Sequence, residues 1–308
     1  MIIYPFMHTM KRKLLFFINP ISGSGKNKKL IQVIQDVMEK QHMLYEIMDT
    51  LKKGDYSFLP EKIETEGITD VIICGGDGTI NQVASHLKNI SVNTGIIPLG
   101  SGNGLALAAG ISKNPLKALQ IILAGKSAPL DAMMINHRFS CMLCGLGFDA
   151  QVAHDFAKQP TRGLTTYIKQ TVRNFFSSKS YPFSIETNGR RLETEAFFIS
   201  IANSNQFGNH VTIAPLASLN DGLLDVVVVK KNNKLAMVYS LLRQIRMGKL
   251  HEPLDPSFSN KTVHYFQASN LRIHNLCLAP LHIDGEAVHT EEVMDIQVLP
   301  NALRLLQP

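Results

Sequence analysis

Long apolar runs are missing from this chain. Nowhere do about 18 uninterrupted apolar residues occur, so no helical membrane span is written into it. A secretory signal is not apparent either. The basic cluster Lys11, Arg12, Lys13 is followed by only five apolar residues before Asn19 and Pro20, with no small-residue cleavage site, which leaves Met10 as a candidate start and 1–9 as a loose leader. Cysteine is scarce, at four residues: Cys74, Cys141, Cys144 and Cys277. Cys141 and Cys144 make a C-x-x-C, but no second pair completes a zinc site and no helix carries it as in thioredoxin-like chemistry. The run 139–148 reads instead as an apolar strand entering a glycine turn, where residues three apart face opposite sides. Core cysteines in a reducing cytoplasm are the reading. A P-loop is absent as well, since GxxxxGK[ST] would need glycine where Pro20 stands and Ser or Thr where Asn27 stands. Internal repeats and low-complexity tracts are also missing. Acidic residues are absent from 156–185 and from 226–251, where Lys158, Arg162, Lys169, Arg173 and Lys179, and then Lys230, Lys231, Lys234, Arg243, Arg246 and Lys249, stand unopposed. Such segments are either solvated faces of ordinary surface helices or a basic surface for anionic lipid, with aromatics inserted at the interface.

What is present is an ordinary globular composition: 308 residues, 45% hydrophobic and 18% charged, enough for two domains. The net charge of +6 suits nucleic acid, an anionic membrane or phosphate ligands without choosing among them. From 14 to 124, short apolar runs alternate with helical patterns, which predicts an α/β layer built on a mainly parallel sheet. Strands are expected over 14–18, 45–48, 71–74 and 95–99. Helices are expected over 28–40, 55–66, from Ile80 through Leu87, from Leu105, and from Pro115 through Leu123. Three strand ends run into glycine-rich turns at 19–26, 75–79 and 100–104. In such sheets ligands bind at the carboxyl ends of the strands, where these turns gather. The turn GGDGT at 75–79 is the central one: its glycines admit a phosphate to the backbone, and the helix start behind it attracts one. Asp77 or Thr79 as a plain N-cap is the simpler alternative. From about residue 127 the texture becomes β. Strands over 138–144, 181–187, 195–202, 224–229, 262–267, 271–276 and 292–299, with turns at Asn188-Gly189, Asp221-Gly222 and Asp284-Gly285, predict an antiparallel sandwich or barrel.

Together the glycine turns resemble the catalytic domain of the diacylglycerol kinase and sphingosine kinase superfamily. The matching motifs are NP-x-SG-x-G from Asn19, GGDGTIN at 75–81, P-x-GS-x-N at 98–103, GFDA at 147–150, DG-x-LD at 221–225 and DGE at 284–286, in that order across nearly the whole chain. The resemblance implies an α/β + β fold. Its N-terminal α/β domain, similar to phosphofructokinases and NAD kinases, would cover 1–131 plus a return of 292–308, with residues 295–299 as the returning strand. A C-terminal antiparallel β-sandwich would cover 132–291, with the active-site cleft between the two. It implies ATP and Mg²⁺ as cofactors. Asn19, Pro20, Ser22, Gly23, Thr50, Gly75, Gly76, Asp77, Gly78, Thr79, Asn81, Ser101, Asn103 and Asp284 are the implied nucleotide-side set, and Ser218, Asp221 and the carbonyl of Leu223 a structural magnesium site. Asp221 as an ordinary turn residue before Gly222 is the alternative. Lys26 is a further phosphate partner, or one of several solvated lysines. Glu286, then Asp77, then Asp149 are the candidate catalytic acids.

Two positions depart from the family's usual pattern: Gln82 stands where Glu is common, and Asn103-Gly104-Leu105-Ala106 where N-D-F-A is common, which is closer to long-chain-base kinases. The expectation is a cytoplasmic, peripherally membrane-associated lipid kinase acting on a diacylglycerol-like or long-chain-base lipid. Its partner is an anionic membrane surface and not nucleic acid, and a homodimer stays open. A kinase of a soluble substrate and a non-catalytic nucleotide-binding regulator are the competing readings.

Overall fold

The computed structural model describes residues 12–22, 27–52, 54–159, 164–208, 211–212, 214–230 and 263–308. The first half runs β1 (Lys13–Ile18), α1 (Asn27–Lys40), β2 (Leu44–Asp49), α2 (Leu59–Glu66), β3 (Asp70–Gly75), α3 (Asp77–Ala84), β4 (Asn93–Pro98), α4 (Gly104–Ala108) and α5 (Pro115–Ala124). β1 and β3 are near-continuous apolar runs because both faces of the sheet are covered, and Leu14 through Ile18 and Val71 through Cys74 are buried. α1 lays Leu30, Ile34 and Met38, spaced four apart, onto that sheet. α5 begins at Asn114, whose side chain accepts from the amides of Leu116 and Lys117, has Pro115 in its first turn, and ends at Gly125 in the left-handed region. The strands pair in parallel in the order β2, β1, β3, β4, with Phe16 between Ile47 and Ile72, and Ile72 opposite Gly95.

The second half runs β5 (Ser127–Ile135), β6 (Arg138–Ser140), β7 (Leu143–Gly147), α6 (Phe148–Ala157), α7 (Leu164–Ser177), β8 (Tyr181–Thr187), β9 (Arg190–Ala202), β10 (Gln206–Gly208), β11 (Val211–Thr212), β12 (Leu224–Lys230), β13 (Val263–Ala268), β14 (Asn270–Asn275), β15 (Leu281–Ile283), β16 (Glu286–Val288) and β17 (Val293–Leu306). Its antiparallel strands enclose a second core that includes Leu146, Phe183, Ile199, Val226, Ile273 and Met294. The α/β plus β-sandwich architecture is the expected one.

The two halves are stitched by a ribbon that the sequence does not announce. β5 and β17 pair antiparallel from Ile135 opposite Ile296 to Ser127 opposite Leu306, with a register shift between Leu299 and Leu303. The early part of β17 pairs with β14 in the sandwich. Its end pairs in parallel with β4, through Arg304 opposite Asn93 and Leu305 opposite Thr94. The return to the first sheet therefore falls at 304–305 and not at 295–299, whose partners are β5 and, at Asp295 to Gln297, β14.

The strand expected over 138–144 is also two strands. β6 and β7 are separated by Cys141 and Met142, because the amides of 141–143 turn to face the carboxylate of Asp284. Cys141 enters the first core and Cys144 the second. Cys277, by contrast, is exposed. Of the acid-free stretches, 156–185 contains α7 as a helix, while 226–251 begins as buried strand β12 and otherwise lies outside the described residues. No helix among the described residues is long and apolar enough to cross a membrane.

Asp131, buried in β5, fixes the ribbon to the turn before β12. Its carboxylate accepts the N–H groups of Gly222 and Asn301, each at 2.7 Å. Asn203 donates to its carbonyl at 2.7 Å. An Asp131→Asn variant turns one of those amides onto an NH₂ group and leaves a buried donor unpaired. Urea unfolding is expected to show a loss of about 2 kcal/mol, in the range for such a group.

Candidate active site

The carboxyl ends of the parallel strands bring the glycine turns together. At the end of β1, the Asn19 N–H donates to the Cys74 carbonyl at 3.0 Å, and its side-chain Nδ2 donates to Thr79 Oγ1 at 2.8 Å. At the end of β2, the Thr50 N–H donates to the Ile18 carbonyl at 3.0 Å. The turns after β3 and β4 touch backbone to backbone. A Cβ on Gly76 would come within 3.1 Å of the Gly100 Cα, and one on Gly100 within 2.6 Å of the Gly76 Cα. Gly75 has no more room, since a Cβ there would meet the Thr79 side chain at 2.6 Å. No larger residue fits Gly76 or Gly100 without separating the loops, or Gly75 without displacing Thr79.

α3 starts from Gly76 with no side-chain cap. The simple alternative of Asp77 or Thr79 as N-cap therefore does not hold: Asp77 lies in the first turn and the Thr79 hydroxyl is engaged by Asn19. The amides at this helix start are thus left for a ligand, at the positive end of the helix dipole. In the third turn Asn103, buried with φ of +54°, staples the loop. Its Oδ1 accepts from Gly100 N–H at 2.8 Å and its Nδ2 donates to the Gly100 carbonyl at 2.7 Å. Its side chain thus builds the cradle rather than lining it. Pro20 and Ser101 are exposed at the rim, and the Ser22 N–H closes a turn on the Asn19 carbonyl at 3.1 Å. Gly23 and Lys26 lie outside the described residues.

Facing this cradle, the second half supplies carboxylates. Asp284 is buried, and its carboxylate accepts the Ser140 hydroxyl at 2.6 Å and the N–H groups of Cys141, Met142 and Leu143 at 3.2, 3.2 and 3.0 Å. It also accepts Asn81 Nδ2 from α3, a bond that crosses between the halves. Burial pushes the Asp284 pKa up against these donors. Two residues on, the Glu286 carboxylate lies over the start of α3, and a side chain at Gly78 would collide with it. The cleft between them has a volume of about 180 Å³ and is lined by Gly78, Asn81, Asp284 and Glu286 among others. Asp77 is pushed up to about 6, first by burial and then by the nearby Asp284 charge, against the opposing amides of 103–105. Its Oδ1 is buried without a hydrogen-bond partner in the described residues.

Asp149, in the first turn of α6, is held further along the same wall. Its Oδ1 accepts from the Ala150 N–H at 2.8 Å, and its Oδ2 stands 3.3 Å from His282 Nε2. The Gly285 N–H donates to His282 Nδ1 at 3.3 Å, which leaves Nε2 to carry the proton shared with Asp149. A Cβ on Gly145 would strike this pair. His282 was not anticipated. Its one signal in the sequence is its place two residues before Asp284.

The orphaned Asp77 oxygen, the uncapped amides and the three tight glycines fit a nucleotide phosphate with its magnesium. The turn at 218–223 offers hydroxyl, carboxylate and carbonyl oxygens, the hard donors that magnesium takes. There the Ser218 hydroxyl donates to Asn220 Oδ1 at 3.2 Å and Asp221 Oδ1 accepts the Leu223 N–H at 3.1 Å, as in an ordinary Asx turn. No group of three or more His, Cys, Asp or Glu side chains suited to a metal occurs among the described residues.

A phosphate cradle facing acids across an interdomain cleft defines a phosphoryl-transfer class of protein, because that reaction asks for positioning, charge neutralisation and a nearby base. Comparison places it further. The diacylglycerol kinase catalytic domain profile matches residues 13–135, and that of the YegS C-terminal NAD kinase beta sandwich-like domain matches 143–307. The chain belongs to this family of diacylglycerol kinase-like lipid kinases. It is 27% identical to a probable lipid kinase YegS-like of Chromohalobacter salexigens, over 92% of this chain and 91% of that one. It is 25% identical to the diacylglycerol kinase of Bacillus subtilis, over 90% of each. A crystal structure of a diacylglycerol kinase from Bacillus anthracis shares the fold with a TM-score of 0.70 at 19% identity, covering 97% of both chains.

The raised pKa of Asp77 has a stability consequence with a definite sign. A carboxylate whose folded pKa exceeds its unfolded value favours the fold while protonated, and that contribution is lost as pH rises from about 4 through about 6. Asp77→Asn is therefore expected to be more stable than the parent at pH 7.5, by about 1–3 kcal/mol, with the difference gone at pH 4. Urea titrations at the two pH values measure it.

Proposed function

We propose that the chain is an ATP- and magnesium-dependent lipid kinase that phosphorylates a hydroxyl of a diacylglycerol-like or long-chain-base lipid at a membrane surface. The observation that carries this reading is the Glu286 carboxylate lying over Gly78, at the open amides that begin α3. Bound ATP supplies the phosphoryl group, and magnesium neutralises part of its charge. The chain's own residues do the rest. The backbone of the three glycine turns fixes the phosphates, with Asn19 and Thr79 locking the first turn to the second. Glu286 accepts the proton of the attacking hydroxyl. Asp77, one residue before Gly78 and with a pKa of about 6, is ionised at neutral pH, so it either assists that proton transfer or holds the cation. Asp149, oriented by His282, receives the polar end of the substrate. α7 presents exposed Lys169 and Arg173, which suits an anionic leaflet.

Radiolabelled ATP incubated with diacylglycerol, monoacylglycerol, phosphatidylglycerol, sphingosine and a total lipid extract tests the reading. Label is expected in a lipid product, and a panel without lipid labelling would count against it. Glu286→Gln is expected to lower the rate about 10²–10⁴-fold, the usual contribution of a general base. A rate within a few-fold of the parent would move that role to Asp77.

A further inference from the structure

The turn joining β14 to β15 exposes apolar side chains. Leu276 is 64% and Leu278 53% exposed, with Cys277 exposed between them. Single exposed leucines are common on any surface. Exposed Val293 lies beside the same end of β14, opposite His274, and adds to the apolar surface there. Leu278 also has φ of +49°, a left-handed conformation that costs a branched residue and that Asn or Gly adopts readily. A loop selected for folding alone would carry one of those residues there.

The turn is held rigidly for a surface loop. Buried Asn275 staples it: its Nδ2 donates to the Ala279 carbonyl at 3.0 Å and its Oδ1 accepts the Ala279 N–H at 2.8 Å. The Leu278 N–H donates to the Asn275 carbonyl at 3.1 Å. The leucines are thus presented outward on a braced tip.

The neighbours of the tip are those of a lipid interface. Pairing of β14 with β8 sets Asn275 opposite Phe183, so the tip extends alongside Tyr181 and Pro182 at the end of the acid-free stretch. Lys179 lies 5.4 Å from the centre of the Tyr181 ring. An amphipathic ring with a cation beside it is what sits at headgroup depth. Next to it, between α6 and α7, opens a cleft of about 630 Å³ whose lining includes Gln151, Asp155, Arg173, Asn174, Lys179 and Tyr181. Glu292, whose carbonyl accepts the Asn275 N–H, and Glu195, opposite Pro182, sit at the level of the tip's base, and Asp155 lines the cleft with Arg173 and Lys179. The far side of the turn leads directly inward. The Pro280 carbonyl accepts the Gly147 N–H at 2.9 Å, and β15 then carries the chain to His282, Asp284 and Glu286.

We infer that the 276–278 turn is the element that enters an anionic bilayer, with Leu276 and Leu278 among the acyl chains and Tyr181, Lys179 and Arg173 at the headgroups. The inference rests on the lipid-surface reading above and names the part of the molecule that performs it. From the turn, β15, which leads on to Asp284 and Glu286, rises out of the leaflet, so docking also sets the height of the site above it. At about 3.3 Å per strand residue, His282 stands roughly 13 Å from Leu278 along the chain.

Cys277 provides the direct test, since the other cysteines are buried. The full chain labelled there with an environment-sensitive fluorophore is mixed with vesicles of phosphatidylglycerol and phosphatidylcholine. A blue shift, quenched by bilayer-embedded quenchers, is expected. Separately, unlabelled Leu276→Ser/Leu278→Asn protein is compared with the parent by vesicle pelleting and thermal melting. The melting temperature is expected to hold or rise, because Asn suits the left-handed position, while vesicle affinity falls about tenfold or more through the lost apolar burial. If the parent pellets with vesicles while the label stays silent and the double variant binds equally well, this inference is overturned and the lipid-surface reading stands. If the parent binds no anionic vesicle at low salt, both fall. A shift that follows protein concentration instead of vesicles would assign the turn to a second copy of the chain and overturn the inference.

Discussion

The arrangement of this molecule depends on one buried carboxylate. Asp284 is where the sandwich meets the α/β half, and its oxygens are filled from two directions: by the corner at 140–143 and by Asn81 of α3. Removing a carboxylate from water is costly, and the burial that raises its pKa is the measure of that cost. The cost is offset only if the donors converge, so the corner must break the strand between β6 and β7 and α3 must lie close enough for Asn81 to reach. From there the chain has little freedom. Asp284 and Gly285 both take positive φ, +50° and +81°, in the tight turn that delivers Glu286 onto Gly78. The Glu286 carboxylate is therefore placed over α3 by a buried residue two positions before it.

The acids of the site are separated by their surroundings rather than by their type. Asp77 is desolvated, with one oxygen left over; Asp284 is saturated with donors; Glu286 is exposed at the cleft; and Asp149 is tied to an imidazole. Carboxylates in such unlike environments take unlike roles, as acid–base sites generally require. The cradle facing them is made almost wholly of backbone. That explains why glycine is fixed at Gly76 and Gly100 by contact between the two turns, and at Gly75 by Thr79 of its own turn, with φ in the ordinary range at each.

Much of this was legible in the sequence, and for a local reason. A buried parallel strand, a glycine turn and an amphipathic helix follow one another within a dozen residues, so the loops at 75–79 and 100–104 could be found from their own neighbourhoods. What escaped depends on distant pairings. The run 138–144 is apolar enough for one strand, and nothing within it shows that a carboxylate from residue 284 will fold its middle into a corner. The ribbon of β5 and β17 joins segments more than 150 residues apart, and its register shift near Asn301 follows from tertiary fit. Motif position was also a poor guide to what each side chain does. Asn103 sits inside a nucleotide-binding pattern yet uses its amide on its own loop, whereas His282 lies outside the family's motifs and its Nε2 stands against Asp149.

The ribbon also bears on the order in which the protein can be completed. β4 has β3 on one side and, on the other, only the last residues of β17. As the chain leaves the ribosome, the parallel sheet is synthesised first but keeps an open edge at β4 through the translation of the whole sandwich. Open edges invite pairing with the wrong strand. The half made earliest is thus the half whose sheet is completed last, when the end of β17 pairs with β4.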